Sequence, residues 1–331
     1  MTHRIRLVPS GREFDAEAQE TVLEAALRNG VNLPYNCSGG SCGACKARLL
    51  DGQIAAPRFH DYVFTEAEKA QGYVLLCSIT AGSDMTLGIN EIGDVHQIPR
   101  QQVSTRVSQI ERIGEHYINL TLRTPRSQTL QFLAGQHVEL RIGDELCCDA
   151  AIASCPCNGM FLQFHLARRA DEPFTMHVFE RLRQNDVIDV TGPFGDFTLD
   201  ESSPRPLVMV AQDTGFAPVK SLLEHVIALE LPQPLTLVWA SAFEDGFYMA
   251  NLCRSWGDAL DNFTYQPLFL EADGEVAAAA VIASTVAKPA QCDFYLATGA
   301  PLRAGLLNAL AAYGARAERI FVMEKRQCGM R

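Results

Sequence analysis

Three cysteines stand four and then two residues apart in Asn36-Cys37-Ser38-Gly39-Gly40-Ser41-Cys42-Gly43-Ala44-Cys45, and small residues fill nearly every gap. A fourth, Cys77, closes the apolar run Tyr73-Val74-Leu75-Leu76. The spacing C-x4-C-x2-C with a distant fourth cysteine is a ligand pattern for a [2Fe–2S] cluster. Four thiolates that converge on two irons need the backbone wrapped closely around them. Gly39, Gly40 and Gly43 permit positive φ and close approach. Their N–H groups can donate to the sulfurs and so tune the reduction potential. Cys37, Cys42, Cys45 and Cys77 are therefore the candidate metal ligands. Two other readings compete. Reduced thiols in a glycine-rich turn would not need the fourth cysteine at the right distance. Zinc ribbons use two separated C-x-x-C pairs, and only one half here has that form.

The chain has 331 residues, enough for two or three domains, and it is 47% hydrophobic. Its formal net charge of −11 disfavours a nucleic-acid partner. It suits docking on a basic protein patch, although a solvated acidic surface reads the same way. Residues 1–90 hold 8 Lys and Arg against 10 Asp and Glu, so most of the acidity lies further on. Met1 to Ser10 has no apolar core of the kind a signal peptide needs. The longest apolar run, Val276 to Ala287, is too short to span a bilayer. Eleven cysteines without an export signal fit a reducing compartment. The expectation is a cytoplasmic protein with no membrane span.

Residues 1–90 read as short strands around a helix over Thr21 to Asn29, stopped by Gly30. A strand runs from Lys46 to Leu50, a short helix from Thr65 to Ala70, and a last strand from Met85 to Ile89. With Leu33-Pro34-Tyr35-Asn36 before the cluster loop and Lys46-Ala47-Arg48-Leu49 after it, this unit resembles the plant-type ferredoxin module, a β-grasp fold. The resemblance places that family's ligands on Cys37, Cys42, Cys45 and Cys77.

Residues 91–100 read as a polar linker. From 101 to 200 the strands Gln102 to Ile110, Tyr117 to Arg123, Gln136 to Arg141, Phe161 to Ala167 and Val187 to Val190 suggest a small antiparallel β-barrel. A helix covers Phe174 to Arg183, and the turn Gly192-Pro193-Phe194-Gly195 ends the block. From 201 to 331, strands at Pro206 to Ala211, Thr236 to Ala240, Phe294 to Ala297 and Ile320 to Met323 alternate with helices at Val219 to Leu229 and Leu302 to Tyr313. That pattern is a doubly wound α/β domain. The fold class is thus multidomain α+β and α/β.

These two blocks resemble the FAD-binding barrel and the NAD(P)-binding domain of ferredoxin reductases. The group with its ferredoxin module first, such as CDP-6-deoxyglucoseen reductase and monooxygenase reductases, is the most similar. The resemblance implies FAD and NAD(P)H as cofactors and an oxygenase, dehydratase or reductase as protein redox partner. It places remnants of the flavin and nicotinamide contacts on Thr175, Gly192, Pro193, Thr214, Gly215, Thr298 and Gly299.

The ligand contacts depart from that family. Its flavin-holding Arg-x-Tyr-Ser run becomes Cys148, Ala150 and Ala151 at the three contact positions. The first glycine of its Gly-Thr-Gly turn becomes Asp213, a carboxylate that opposes a diphosphate unless it merely caps the helix. Ala240-Ser241-Ala242 replaces Gly-x-Arg, and the covering aromatic falls near Lys325. The expectation is an electron-transfer protein working through its [2Fe–2S] cluster, with a reductase body weakened at its flavin and nicotinamide sites. The alternative is a working NAD(P)H-dependent FAD and [2Fe–2S] reductase. Four added thiols, Cys147, Cys148, Cys155 and Cys157, are a candidate second metal site of no familiar spacing, against ordinary buried cysteines.

Overall fold

The computed structural model describes residues 2–125, 128–157, 159–270, 274–324 and 326. Lys325, and with it the expected position of the covering aromatic, lies outside the described residues.

The chain begins with β1 (Thr2–Val8), β2 (Glu13–Glu17) and α1 (Val22–Arg28). It continues with β3 (Lys46–Asp51), β4 (Ile54–Pro57), α2 (Glu66–Ala70), β5 (Tyr73–Leu75), β6 (Ile79–Ala81) and β7 (Met85–Gly88). The main sheet has the order β2-β1-β7-β3-β5, with β1 and β7 parallel. Alternation in Ile5 and Leu7 and the 3.6-residue stripe Val22, Leu23 and Ala26 bury one face of each element in a common core. Both helices begin with a capping box, on Thr21 with Glu24 and on Thr65 with Glu68.

Next come β8 (Gln101–Ile113), β9 (Tyr117–Arg123), β10 (His137–Ile142), β11 (Leu146–Ala151), β12 (Phe161–Ala167), α3 (Pro173–Glu180) and β13 (Val187–Phe194). They form an antiparallel sheet in the order β11-β10-β13-β8-β9-β12. It curls until its ends meet, where the Ala153 N–H donates to the Gln163 carbonyl at 2.7 Å. Gly192-Pro193-Phe194 lies within β13, whereas the sequence read as a turn there. Strand pairing to β8 runs as far as Gly192, and the missing N–H of Pro193 ends it.

The last part holds β14 (Leu207–Gln212), α4 (Phe216–Ala228), β15 (Leu235–Ser241), α5 (Ala250–Ala259), β16 (Phe263–Phe269), α6 (Glu275–Thr285), β17 (Asp293–Ala297), α7 (Ala300–Ala312) and β18 (Ile320–Val322). The sheet is parallel, in the order β16-β15-β14-β17-β18. Its order reverses at β14, which opens a crevice at the carboxyl ends of β14 and β17. The apolar run from Val276 becomes α6, packed over the sheet through Ala279, Ile282 and Ala283. Among the described residues no helix is long and apolar enough to cross a membrane.

The first and second parts are joined by more than a tether. Ile92 and Ile98 bury against Leu133, and the Ile92 N–H donates to the Asn32 carbonyl at 2.7 Å. Arg12 lies 3.2 Å from Glu91 and 2.9 Å from Glu201. The expected polar linker is therefore packed down.

Candidate metal centre and cleft

The cluster loop starts seven residues beyond Gly30, after the buried anchors Leu33 and Tyr35. Left-handed backbone falls at Ser38, Gly40 and Gly43, and Gly39 does not take it. At Gly43, with φ +74°, an added Cβ would lie 2.2 Å from the Tyr62 ring. Only glycine fits beneath that ring. Tyr62 belongs to a cover over residues 58–64 that the sequence did not disclose. Its N–H donates to the Gly40 carbonyl at 2.9 Å, and Lys46 Nζ donates to its hydroxyl at 2.9 Å and to Glu68 at 2.5 Å.

The four cysteines come together as two pairs. Ser41 and Cys42 donate backbone N–H groups to Cys37 Sγ at 3.3 and 3.4 Å, and the Ala44 N–H donates to Cys42 Sγ at 3.4 Å. Burial alone would raise the Cys37 thiol, but hydrogen bonds from Ser41, Cys42 and Gly39 bring it down to about 6. Cys45 and Cys77 share a hydrogen bond, which pushes Cys45 up and brings Cys77 down to about 7. Burial and the neighbouring Cys37 sulfur hold Cys42 up. Among the described residues no three His, Cys, Asp or Glu converge as one metal ion would require. Two irons that each take two cysteines require pairs, and the donor set fits that demand. Cys37, Cys45 and Cys77 are buried while Cys42 is exposed, so the loop has one open edge.

A cleft of about 660 Å³ lies between the curled sheet and the parallel sheet. Thr175, Thr214, Gly215, Thr298 and Gly299 all line it, whereas Gly192 and Pro193 do not. Gly215 is obligatory, since a Cβ there would sit 1.9 Å from the Ala297 carbonyl oxygen. Several groups expected to grip phosphate are occupied by the chain itself. The Thr175 hydroxyl donates to the Arg169 and Glu172 carbonyls at 3.2 and 3.0 Å. The Gly299 N–H donates to Gln212 Oε1 at 2.9 Å. At the start of α3, Pro173 has no N–H and Glu172 brings a carboxylate.

Asp213 takes φ +50°, the left-handed backbone that a glycine would take more easily. Its side chain does not cap the helix. It accepts from Ser241 Oγ at 2.6 Å, while its carbonyl accepts from Trp239 Nε1 at 3.1 Å. Cys148, Ala150 and Ala151 line the cleft and bring neither a cation nor a ring. Between them Asp149 faces the buried His137, with Oδ1 2.5 Å from Nδ1. Sequence reasoning missed that pair. His165, whose spacing to other histidines suggests no metal site, also lines the cleft. His165 is 6% exposed, bonded through Nδ1 to the Tyr248 hydroxyl at 2.9 Å. Its Nε2, like the Oγ1 of Thr298, is buried without a partner. The cleft thus keeps room and unspent polar atoms, and its lining includes Asp149, Glu172, Asp213 and Glu324 as well as Arg169 and Arg303.

The four extra thiols do not gather at one point. Cys155 and Cys157 are joined to each other as a disulfide, and Cys148 packs half-buried against the barrel core beside Leu146. Cys147 stands opposite Arg141 on the β10–β11 ladder.

Residues 5–82 match the family described as the 2Fe-2S iron-sulfur cluster binding domain. The CDP-6-deoxy-L-threo-D-glycero-4-hexulose-3-dehydrase reductase of Yersinia pestis is 30% identical over 268 residues, which cover 81% of this chain and 80% of that protein. The terephthalate 1,2-dioxygenase reductase component 2 of a Comamonas species is 30% identical over 265 residues, 80% of this chain and 78% of that one. The solved structure of an Amycolatopsis cytochrome P450 reductase, 23% identical, superposes over 97% of this chain and 98% of its own with a TM-score of 0.60.

Proposed function

The chain belongs to the family of electron-transferring reductases that join a [2Fe–2S] ferredoxin unit to a ferredoxin-reductase body, and on that premise we propose that Cys37, Cys42, Cys45 and Cys77 hold its cluster. Single electrons pass through it to or from a partner redox protein of the oxygenase, dehydratase or reductase kind. The observation that carries this reading is the pairing of the four thiols, two and two, around N–H donors. When bound, such a cluster takes up and gives back one electron at a time. The chain's own groups do the rest. The N–H groups of Ser41, Cys42 and Ala44 favour the thiolate form. The cover at Tyr62 and the buried Cys45 and Cys77 keep water from one edge, and the exposed Cys42 edge is where a partner approaches.

We read the reductase body as weakened at its flavin and nicotinamide sites. In support, no cation or aromatic ring stands at positions 148, 150 and 151, and the carboxylates Asp149, Glu172, Asp213 and Glu324 line the cleft. A charge-assisted contact to phosphate is among the stronger polar contacts available, so its loss weakens binding by orders of magnitude. A second reading has its own observation. The roomy cleft with His165 Nε2 and Thr298 Oγ1 unpartnered favours a bound FAD and a working NAD(P)H reductase. Units at 1–90, 101–200 and 201–331, a linker at 91–100, and a cytoplasmic location complete the proposal.

Iron and flavin analysis of purified protein separates the readings. Iron near two per chain with no releasable flavin supports the first, and flavin near one per chain supports the second. Replacing Cys42 with serine should abolish the visible absorption of the cluster. Unchanged bands would overturn the ligand assignment.

A further inference from the structure

The loop between β11 and β12 carries Ser154-Cys155-Pro156-Cys157, and the cluster site uses neither cysteine. The two are bonded to each other, with Cα atoms 5.2 Å apart. Cys155 is buried and Cys157 is partly exposed. The loop is pinned at both ends. Toward α4, the Cys155 N–H donates to Glu224 Oε2 at 3.0 Å, and Ser221 Oγ donates to the Ser154 carbonyl at 2.8 Å. Glu224 is in turn held by the buried Lys220 at 2.5 Å, whose Nζ also donates to the Ala153 carbonyl at 3.2 Å. At the far end, a Cβ added to Gly159 would meet the hydroxyl of Tyr35 at 2.8 Å, two residues before Cys37. The pair therefore lies on a segment that touches the cleft domain at one end and the approach to the cluster loop at the other.

We infer that Cys155 and Cys157 form a thiol–disulfide exchange site whose substrate is an external dithiol reductant. A thiolate of the reductant attacks Sγ of Cys157, the more exposed residue of the pair. The sulfur–sulfur bond breaks, its electron pair goes to Cys155 Sγ, and that sulfur takes up a proton. The second thiol of the reductant then displaces Cys157, which is protonated in turn, and the reductant departs as a disulfide. Two electrons and two protons have moved from the dithiol to the protein pair. The chain assists the first step directly. The Cys157 N–H points at Cys155 Sγ at 3.3 Å, so a donor already faces the sulfur that must leave as thiolate. A metal at this place would need further ligands, and among the described residues none converge on it.

The test uses the full-length, cluster-loaded protein poised in mixtures of oxidised and reduced dithiothreitol. Samples are quenched with acid, alkylated after denaturation and mapped by mass spectrometry. Labels on Cys155 and Cys157 should rise together in one transition, while the buried free thiols Cys253 and Cys292 stay labelled at every poise. The visible absorption of the cluster, followed in the same samples, shows whether any change belongs to the metal centre instead. Two variants check the direction of attack. Cys157 in Cys155→Ser should react with Ellman's reagent at least tenfold faster than Cys155 in Cys157→Ser. The inference fails if both cysteines are labelled at every poise, if neither opens in excess dithiothreitol, if reactivity is reversed, or if iron beyond two per chain protects them.

Discussion

His165 occupies a position where charge is costly. Burial, helped by the nearby Lys220, brings its imidazole down to about 3, so the ring is neutral in the folded protein. An unfolded chain would protonate it near its ordinary value of 6.5. Below that value the unfolded state binds the extra proton, and stability falls as the pH drops from 6.5 toward 3. The slope from one such group is about 1.4 kcal/mol per pH unit. A His165→Gln variant should lose that part of the slope in denaturation midpoints measured between pH 4 and 7. If the slopes of variant and parent coincide, the ring is not held neutral. Asp213 is a second costly residue. A left-handed non-glycine residue stores on the order of 1 kcal/mol, which its bond to Ser241 helps to offset.

At the scale of elements, α1 fixes where the cluster loop begins. Its capping box supplies two of the N–H partners that a helix start lacks, and it returns the chain through Gly30 to Val31, whose N–H donates to the Ala26 carbonyl at 2.8 Å. Thr21→Ala should lower stability by about 1 kcal/mol in denaturant titration and loosen the cluster, seen as faster bleaching of its visible absorption in chelator. A variant as stable and as slow to bleach would remove the cap from the account. This helix was legible in the sequence because stripe and stop agree. So were β9 and β12, whose bounds match the alternation of residues 117–123 and 161–167. β16 was not, since Pro267 and mixed polar residues hide an edge strand, and α5 was not, since only Cys253 of its residues is buried. In the cleft, the departures at 148, 150, 151 and 213 were legible as letters. Their consequences were not, because the partners that occupy Asp213 and Gly299 come from segments distant in sequence.

The whole molecule turns on how the cluster unit is seated. Gln131 is buried on the barrel and reaches into the first unit, its Nε2 donating to the Leu33 carbonyl at 2.7 Å and its Oε1 accepting from the Tyr35 N–H at 3.4 Å. Beside it, Thr129 bonds Ser38 Oγ at 3.1 Å and gives its N–H to the Asn36 carbonyl at 3.3 Å. These contacts seize residues 33–38, the approach to the cysteine loop, so that loop is held in register with the barrel. A unit seated in this way is fixed against the barrel through residues 33–38. Gln131→Ala leaves a buried carbonyl and a buried N–H unpartnered, at a cost of roughly 1–3 kcal/mol. The loss should fall on seating more than on either core. Protease cleavage within 91–100 should quicken several-fold while the cluster spectrum keeps its shape. Cleavage at the parent rate would mean that the salt bridges of Arg12 and the Ile92–Leu133 contact hold the unit without Gln131, and that register is set there instead.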